Sequence, residues 1–364
     1  MTSSPELDMT GKVVAITGAN SGIGLATAEA LARLGATVFA CGRDAEKLDR
    51  AAATLRTAAN GGRIETFVAD LASVAHVREL AAAIARRTDR LDVLIHNAGV
   101  TTDRQIETED AFELTFAVNV LAPFVLTTEL LPLLTASAPA RVITVTSAMH
   151  ASVRSLDLEA LQRTNGDRWF TVYARAKLAS LLFSNELARR LDGTGVTSNV
   201  LVPGMIATGF GGDGDLGGIN AFLNRVLNRF LPGPEVGART PLHLAKAPEL
   251  EGVTGRYFEK GAERVGRRRS ARERPVGAVG ESHRRLRNQG SDRTRAAGPH
   301  PPSGNLDRQE RRHRPNEPRA RRRGRSDPGG LQPARPHART GRPRHLRAPR
   351  PRRVGARGPG QWGT

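Results

Sequence analysis

Residues 12 to 260 alternate short apolar runs with longer stretches rich in Ala and Leu, and this alternation constrains the fold most strongly. The apolar runs begin at Lys12, Thr37, Thr66, Leu91, Arg141, Thr197 and Gly255. The helix-length stretches begin near Gly22, Asp44, Ser73, Thr108, Phe170 and Glu235. Continuously apolar strands separated by helices are typical of a parallel sheet that is buried on both faces. The pattern therefore predicts an α/β doubly wound parallel sheet, a Rossmann fold, in a single domain.

Charge divides the chain into two unequal parts. Residues 1–265 carry 27 Lys and Arg against 29 Asp and Glu, whereas residues 266–364 carry 28 against 7. The net charge of +19 thus belongs to the C-terminal part and says little about the partners of the domain. We expect a leader at 1–11, the α/β domain at 12–265 and an Arg/Pro/Gly-rich tail at 266–364. The tail has too few apolar residues to offset the entropy of ordering, which predicts disorder.

Composition also argues against several classes of protein. The single cysteine, Cys41, excludes an internal disulfide and a cysteine zinc cluster, and we predict no metal site. No apolar run approaches the roughly 20 residues that cross a bilayer, which predicts no membrane span. The N-terminal sequence MTSSPELDMT lacks the basic start and apolar middle of a signal peptide. We therefore expect a cytoplasmic protein.

A glycine-rich turn, TGANSGIG from Thr17, joins the first apolar run to the first helical stretch. Glycines allow a tight turn and close approach to a pyrophosphate, whose charge is met by amides at a helix N-terminus. Such a turn is weak evidence alone, but its place between a strand and a helix fits a dinucleotide site. The candidate residues here are Gly18, Asn20, Ser21, Gly22, Ile23 and Gly24.

Tyr173 and Lys177 form the motif YARAK and would share one face of a helix, because they are four residues apart. One interpretation is an ordinary surface helix. The other is a phenol whose pKa is lowered by the neighbouring ammonium, so that the phenol exchanges protons near neutral pH. The other motifs of the chain favour the second interpretation.

These motifs, in this order, resemble the short-chain dehydrogenase/reductase family, and most closely its retinol-dehydrogenase-like branch. The resemblance covers residues 12 to about 260 and is carried by TGANSGIG, Asp70, HNAGV at His96, FAVNVLAPF around Asn119, VTSAMH around Ser147, YARAK, and VPGMIAT from Val202. The family is one of oxidoreductases that interconvert carbonyls and alcohols with NADP or NAD. The expected substrate is therefore a small carbonyl or alcohol, and in this branch a lipophilic one such as a retinoid or steroid.

The resemblance implies roles for single residues. Tyr173 is the general acid and base, Lys177 stabilises the tyrosinate and binds the nicotinamide ribose, and Ser147 hydrogen-bonds the substrate oxygen. Asn119 anchors a water that links the lysine to solvent; otherwise it is an incidental polar residue. Further cofactor contacts are implied for Asp70, Leu71, Asn97, Ala98, Gly99, Pro203, Gly204, Ile206 and Thr208.

The choice of cofactor depends on the end of the second strand, where Arg43 is followed by Asp44. NAD enzymes usually place a carboxylate there, whereas an arginine suits a 2′-phosphate because guanidinium binds phosphate as a fork. We favour NADP, with NAD as the alternative. Asp44 is better placed as the N-cap of the next helix.

Two segments depart from the regular pattern. Ser147 and Tyr173 are 26 residues apart, about twice the family's usual gap, and the extra segment is expected to border the substrate mouth. The stretch from Ala207 to Pro234 combines a glycine hinge with an amphipathic helix and is interpreted as a lid or as an ordinary connecting helix. Ala176 stands where many relatives have serine, and we expect little loss from it.

Other interpretations of the whole chain remain open. The domain could be a non-catalytic NADP-binding regulator, although the presence of all four catalytic-type residues argues against this. Nucleic-acid binding is expected only nonspecifically, through the arginines of the tail. The tail could also be a frameshift product: PVGAVGESHR from Pro275, read one nucleotide later, is compatible with the Leu-Trp-Glu-Leu-Ser of relatives. The resemblance also suggests a homo-oligomer formed through the helices near Thr108 and Phe170.

Overall fold

The structure is a computed structural model that describes residues 8–163, 166–204, 206 and 231–264. Eight strands form one sheet: β1 (Val13–Thr17), β2 (Thr37–Gly42), β3 (Ile64–Val68), β4 (Val93–His96), β5 (Ala140–Val145), β6 (Val196–Val202), β7 (Tyr257–Glu259) and β8 (Ala262–Glu263). Their order in the sheet is β3-β2-β1-β4-β5-β6-β7-β8. All neighbouring strands pair in parallel except β7 and β8, which form an antiparallel hairpin. The predicted doubly wound parallel sheet is confirmed.

Helices cover both faces of the sheet. They are α1 (Gly22–Arg33), α2 (Ala45–Ala58), α3 (Val74–Arg87), α4 (Leu114–Phe116), α5 (Ala122–Ala136), α6 (Leu158–Gln162), α7 (Trp169–Arg190) and α8 (Pro234–Lys246). A π-helical turn, Ala117–Leu121, connects α4 to α5, and 3₁₀ turns occur at Ala148–Ser152 and Pro248–Leu250. The helices expected near Gly22, Asp44, Ser73, Phe170 and Glu235 all begin within one residue of those positions.

Two apolar cores lie on opposite faces of the sheet. One combines residues of α3, α5 and α7 with Ala15, Leu94 and Val142. The other combines residues of α1, α2 and α8 with alternate positions of the same strands, such as Val14 and Ile143. Because successive side chains of a strand point to opposite faces, each central strand must be apolar throughout. This requirement explains the continuous apolar runs in the sequence.

The observed elements differ from the expected ones at several places. The helix expected near Thr108 begins at Leu114, because Glu107 and Glu113 form an antiparallel bridge and Ala111 has a positive φ of 60°. Strand β3 begins at Ile64, two residues before the expected start. Strand β8 was missed because it has two residues, both exposed, and hence no apolar pattern.

The expectation about apolar stretches also needs correction. Residues 114–136, which include α4, the π turn and α5, are long and apolar enough to cross a membrane by length and composition. About 67% of that stretch is buried inside the domain, as expected for a core helix of this sheet. The expected lid helix and the C-terminal tail lie outside the described residues.

Candidate active site

The Tyr173–Lys177 pair of the YARAK motif lies on the buried side of α7. Tyr173 is 7% exposed and Lys177 is 4% exposed. The Lys177 ammonium nitrogen is 5.6 Å from the centroid of the Tyr173 ring and 3.4 Å from the Val145 carbonyl oxygen. The backbone of α7 is fixed at this point because the Thr146 hydroxyl donates to the Lys177 carbonyl oxygen at 2.7 Å. The end of β5 therefore contacts both the side-chain ammonium and the backbone carbonyl of Lys177.

Ser147 lies two residues after the end of β5 and caps a 3₁₀ turn. Its hydroxyl oxygen accepts from the Met149 amide at 3.3 Å, and the hydroxyl also hydrogen-bonds the Tyr173 phenol. The structure thus brings Ser147 and Tyr173 into contact although they are 26 positions apart in sequence. Parallel strands present their carboxyl ends at one edge, and ligands of such sheets bind at that edge.

Burial controls the proton chemistry of the pair. It raises the pKa of Tyr173 well above its ordinary value, and the hydrogen bond with Ser147 opposes this shift only in part. Burial also lowers the pKa of Lys177 to about 8. The expectation that the ammonium lowers the phenol's pKa is not met here, because removal from water is the larger effect. At neutral pH the phenol is protonated and the lysine is mostly charged.

Asn119 lies in the π-helical turn that connects α4 to α5 and is 3% exposed. Its side-chain amide donates to the carbonyl oxygens of Val100 and Thr115, each at 2.8 Å, and its side-chain oxygen accepts from the Val100 amide at 3.1 Å. Its own carbonyl oxygen accepts from the Ser180 hydroxyl on α7 at 3.0 Å. Asn119 therefore joins the HNAGV loop to α7, the helix that bears Tyr173 and Lys177.

The glycine-rich turn is closely packed against the end of β4. Gly18 and Gly22 have positive φ values of 68° and 54°. A Cβ at Gly24 would lie 2.2 Å from the Gly18 carbonyl oxygen and 2.4 Å from the Asn97 side-chain nitrogen. The Asn97 side chain donates to the carbonyl oxygens of Thr17 and Gly18 at 3.0 and 3.2 Å. Only glycine fits at position 24.

Thr17 organises this region, although its role was not predicted. Its hydroxyl oxygen accepts from the amides of Asn97 and Ala98, each at 3.1 Å. It also lies 3.4 Å from the Ile95 carbonyl oxygen. A threonine at the end of an apolar strand carries no distinctive sequence signal, since its partners are about 80 positions away. Thr146 and Ser180 also carry no distinctive sequence signal, because the residues that they contact across elements are distant in sequence.

The residues proposed for the adenosine half lie at the ends of β3 and β4. The Asp70 side chain is exposed and accepts from the Ala72 amide at 3.0 Å. Leu71 lies beside Thr17, His96, Ala98, Val118, Ala122, Pro123 and Leu126, around a gap too small to hold a water molecule. His96 lies 2.7 Å from the Thr127 hydroxyl, and burial lowers its pKa to about 3. Its ring is therefore neutral across the physiological range.

At the end of β2, the two charged residues considered for cofactor choice have different surroundings. Arg43 is exposed at the end of the strand. The Asp44 carboxylate accepts from the Lys47 amide at 3.0 Å and so caps α2 as expected. Asn20 packs against this strand end, since a Cβ at Gly42 would lie 3.3 Å from its side-chain carbon. The glycine turn and the Arg43 region are thus adjacent.

The loop after β6 meets the other end of the glycine turn. Gly204 has a φ of 92° and follows Pro203 directly. A Cβ at Gly237 of α8 would lie 2.8 Å from Ile23 and 3.0 Å from Ile206, so these three positions are in close contact. Thr208 lies outside the described residues.

The site fits a pyrophosphate-bearing dinucleotide. Within the described part of the chain, Ser21 makes no side-chain hydrogen bond to cap α1, unlike Asp44 and Ser73 at α2 and α3. The amides of the first turn of α1 therefore keep hydrogen-bonding capacity for an anion, next to a turn without bulky side chains. The residues brought to this edge of the sheet can bind a cofactor, orient a carbonyl oxygen and exchange a proton with it.

Comparison with known proteins agrees with this chemistry. The short chain dehydrogenase family model matches residues 12–213. Retinol dehydrogenase 14 of Homo sapiens is 42% identical over 266 residues, which cover 69% of this chain and 78% of that protein. Retinol dehydrogenase 13 of Homo sapiens is 40% identical over 253 residues, covering 68% and 76%.

Solved structures show the same fold. The Pseudomonas aeruginosa RhlG/NADP active-site complex is 29% identical, with a TM-score of 0.56, and the match covers 71% of this chain and 97% of that one. A dehydrogenase/reductase from Sinorhizobium meliloti is 26% identical, with a TM-score of 0.55, covering 70% and 94%. The chain therefore belongs to the short-chain dehydrogenase/reductase family, in its retinol-dehydrogenase-like branch, and is an oxidoreductase acting on CH–OH groups.

Proposed function

We propose that this protein is an NADP(H)-dependent oxidoreductase that interconverts lipophilic aldehydes or ketones with alcohols, with Tyr173 as general acid and base. The observation that carries the proposal is the hydrogen bond between Ser147 and a buried Tyr173, with the Lys177 ammonium beside the ring. This arrangement can hold a carbonyl oxygen between two hydroxyls, one of which donates a proton.

In the direction of reduction, Ser147 would hydrogen-bond the carbonyl oxygen and Tyr173 would donate its proton to that oxygen. The raised pKa of Tyr173 keeps the phenol protonated at neutral pH, so that it has a proton to donate. The tyrosinate left after transfer is stabilised by the nearby Lys177 ammonium. The glycine turn, the Asn97–Gly99 turn and the loop at Pro203 would hold the cofactor, which when bound would supply the hydride.

NADP preference rests on the end of β2. Arg43 is exposed there, and the Asp44 carboxylate caps α2. An arginine can bind a 2′-phosphate as a fork, and a carboxylate engaged elsewhere cannot serve the ribose hydroxyls as well. NAD is the alternative cofactor.

The test is oxidation of NADPH, with NADH in parallel, against decanal, retinal and a steroid ketone. We expect turnover with at least one of these compounds, faster with NADPH, and loss of turnover in Tyr173→Phe. A folded protein that binds NADPH without turnover would favour the non-catalytic regulator. Turnover that survives in Tyr173→Phe would refute the proposed acid.

The remaining expectations are proposals about the whole protein. We propose a cytoplasmic homo-oligomer, which cell fractionation and light scattering would test. The tail, residues 266–364, is proposed to bind nucleic acid only nonspecifically. Salt-dependent RNA binding that disappears after truncation at residue 264 would indicate a nucleic-acid arm. Sequencing the gene across codons 255–290 in independent isolates would test the frameshift hypothesis, and a conserved frame would refute it.

A further inference from the structure

Glu113 is a buried carboxylate to which the proposed mechanism gives no role. It is 1% exposed and immediately precedes α4. Burial raises its pKa above the ordinary value, and hydrogen bonds from the amides of Phe116 and Thr115 and from the Thr115 hydroxyl oppose this shift. No basic side chain of the described residues contributes to that balance. A carboxylate in such a place is costly, so its hydrogen bonds need an explanation.

The carboxylate holds the peptide units that position Asn119. One of its oxygens accepts from the Phe116 amide at 2.8 Å, and this amide belongs to the same peptide unit as the Thr115 carbonyl. The carbonyl oxygen of Thr115 accepts in turn from the Asn119 side chain at 2.8 Å. The carboxylate therefore fixes the start of the helix whose next turn is the π-helical turn bearing Asn119.

The backbone of Glu113 holds a second segment. Its amide donates to the Gln162 carbonyl oxygen at the end of α6 at 2.9 Å. Helix α6 belongs to the extra segment between Ser147 and Tyr173, and its Leu161 is 2% exposed. Glu113 is thus a junction between the Asn119 turn and the segment that precedes the catalytic helix.

We propose that Glu113 is a positioning residue, which keeps the turn bearing Asn119 in register with the HNAGV loop and α7 and docks α6 against that turn. The proposal rests on the oxidoreductase function above. Asn119 acts on both elements through Val100 and Ser180. A displaced turn would therefore disturb Lys177, which lies three residues before Ser180, without removing any group that touches cofactor or substrate.

An ordinary helix cap is the competing account. A cap that only stabilises the fold would lower the unfolding midpoint and leave the rate constant of the folded enzyme unchanged. The two accounts therefore differ in kcat and in local motion at the Asn119 turn. They do not differ in global stability.

The experiment compares Glu113→Ala and Glu113→Gln in the full chain, below the temperature at which any variant unfolds. The controls include Asp92→Asn, a buried carboxylate at the opposite, amino-terminal edge of the sheet. Kinetics of NADPH-dependent reduction give kcat and KM. Hydrogen exchange of residues 98–102 and 114–121 reports on the turn without requiring activity.

For Glu113→Ala we expect kcat to fall about fivefold to tenfold, with a smaller rise in the KM for NADPH and faster exchange in both segments. Glu113→Gln should restore both readouts, because its amide oxygen accepts the same hydrogen bonds. Glu113→Asp withdraws the carboxylate by one methylene and should behave like alanine, so the test does not depend on one variant folding. Asp92→Asn should lower stability with kcat near that of the wild type.

Wild-type kcat and wild-type exchange in Glu113→Ala would overturn the proposal. So would a loss of kcat that Glu113→Gln does not restore. If the wild-type protein itself shows no turnover, the oxidoreductase function fails. The exchange measurement then decides the role of Glu113 separately, and unchanged exchange at residues 114–121 in Glu113→Ala would refute it.

Discussion

Burial determines the proton affinities of Tyr173 and Lys177. Because its pKa is raised, the Tyr173 phenol stays protonated at neutral pH and can donate a proton. Because the pKa of Lys177 is lowered to about 8, the lysine loses its charge within the pH range in which enzymes work. In the proposed mechanism, reduction leaves Tyr173 as a tyrosinate, which needs the charged form of the lysine. We therefore expect the loss of activity at alkaline pH to follow deprotonation of Lys177 and not of Tyr173.

We expect kcat for carbonyl reduction to fall as pH rises through about 8, where Lys177 loses its proton. Below that pH both groups are protonated, so kcat should be level down to about pH 6. The measurement is a pH profile of kcat with saturating NADPH. A profile that stays level to pH 10 would show that the ammonium charge is not needed.

Arg43→Ala should raise the KM for NADPH about tenfold and change the KM for NADH little, because only NADPH carries the 2′-phosphate. For Arg43→Lys we expect a KM for NADPH between those of the wild type and Arg43→Ala, because lysine keeps the charge but loses the fork of the guanidinium. Arg50→Ala, at an exposed arginine of α2, removes the same charge and serves as the control. Equal effects on NADPH and NADH would contradict the assignment.

At the scale of elements, the glycine turn and α1 are fitted to the end of β4. The close approach of Gly24 to the Gly18 carbonyl oxygen explains why glycine is the third residue of this helix. Helix propensity alone favours alanine over glycine by about 1 kcal/mol. Propensity and packing therefore predict opposite signs for the same substitution.

Gly24→Ala should lower the unfolding midpoint and weaken NADPH binding, because the new methyl group would displace either the Gly18 peptide or the Asn97 side chain. Both groups are part of the cofactor turn. Thermal unfolding and fluorescence titration with NADPH measure the two effects. An unfolding midpoint that is unchanged or raised would mean that helix propensity outweighs the contact.

At the scale of the whole molecule, the two edges of the sheet do different work. The carboxyl edge carries the candidate active site, whereas the amino edge carries Asp92, which is 3% exposed. Asp92 accepts from Lys12 at 3.0 Å, from the Val13 amide at 2.9 Å and from two nitrogens of Arg90 at 2.8 and 2.6 Å. It ties β1 to β4 at the centre of the sheet.

Burial alone would raise the pKa of Asp92, but the hydrogen bonds from Arg90, Val13 and Lys12 outweigh it and lower that pKa below its ordinary value. A carboxyl group with a lowered pKa stabilises the fold above its unfolded-state pKa, near 4, and this stabilisation disappears as pH falls through the folded-state pKa. Asp92→Asn should therefore cost about 1–2 kcal/mol at pH 7 and much less near pH 3.

Urea unfolding at both pH values measures this difference. Asp192→Asn, at an exposed position after α7, is the matched control and should change stability little at either pH. A cost for Asp92→Asn that is equal at pH 7 and pH 3 would mean that its charge contributes nothing.

The sequence predicted the elements that depend on local pattern. Apolar runs with short turns between them indicated seven of the eight strands, and cap residues such as Asp44 and Ser73 marked helix starts to within one residue. The local pattern gave a wrong prediction where a contact with a residue outside that stretch competes with it. The polar stretch from Thr108 to Glu113 has helical composition, yet its backbone pairs with residues 106 and 107 and with α6.

By itself, then, the sequence determined the sheet, its two faces and the order of the motifs, because strand and helix periodicity follow from local backbone geometry. The tertiary structure decided the proton affinities of Tyr173 and Lys177, the packing that requires Gly24, and the parts played by Thr17, Glu113 and Ser180. Each of these depends on burial or on partners that can be up to about 80 positions away in sequence. Burial and long-range contacts exist only once the chain has folded, so no local pattern encodes them.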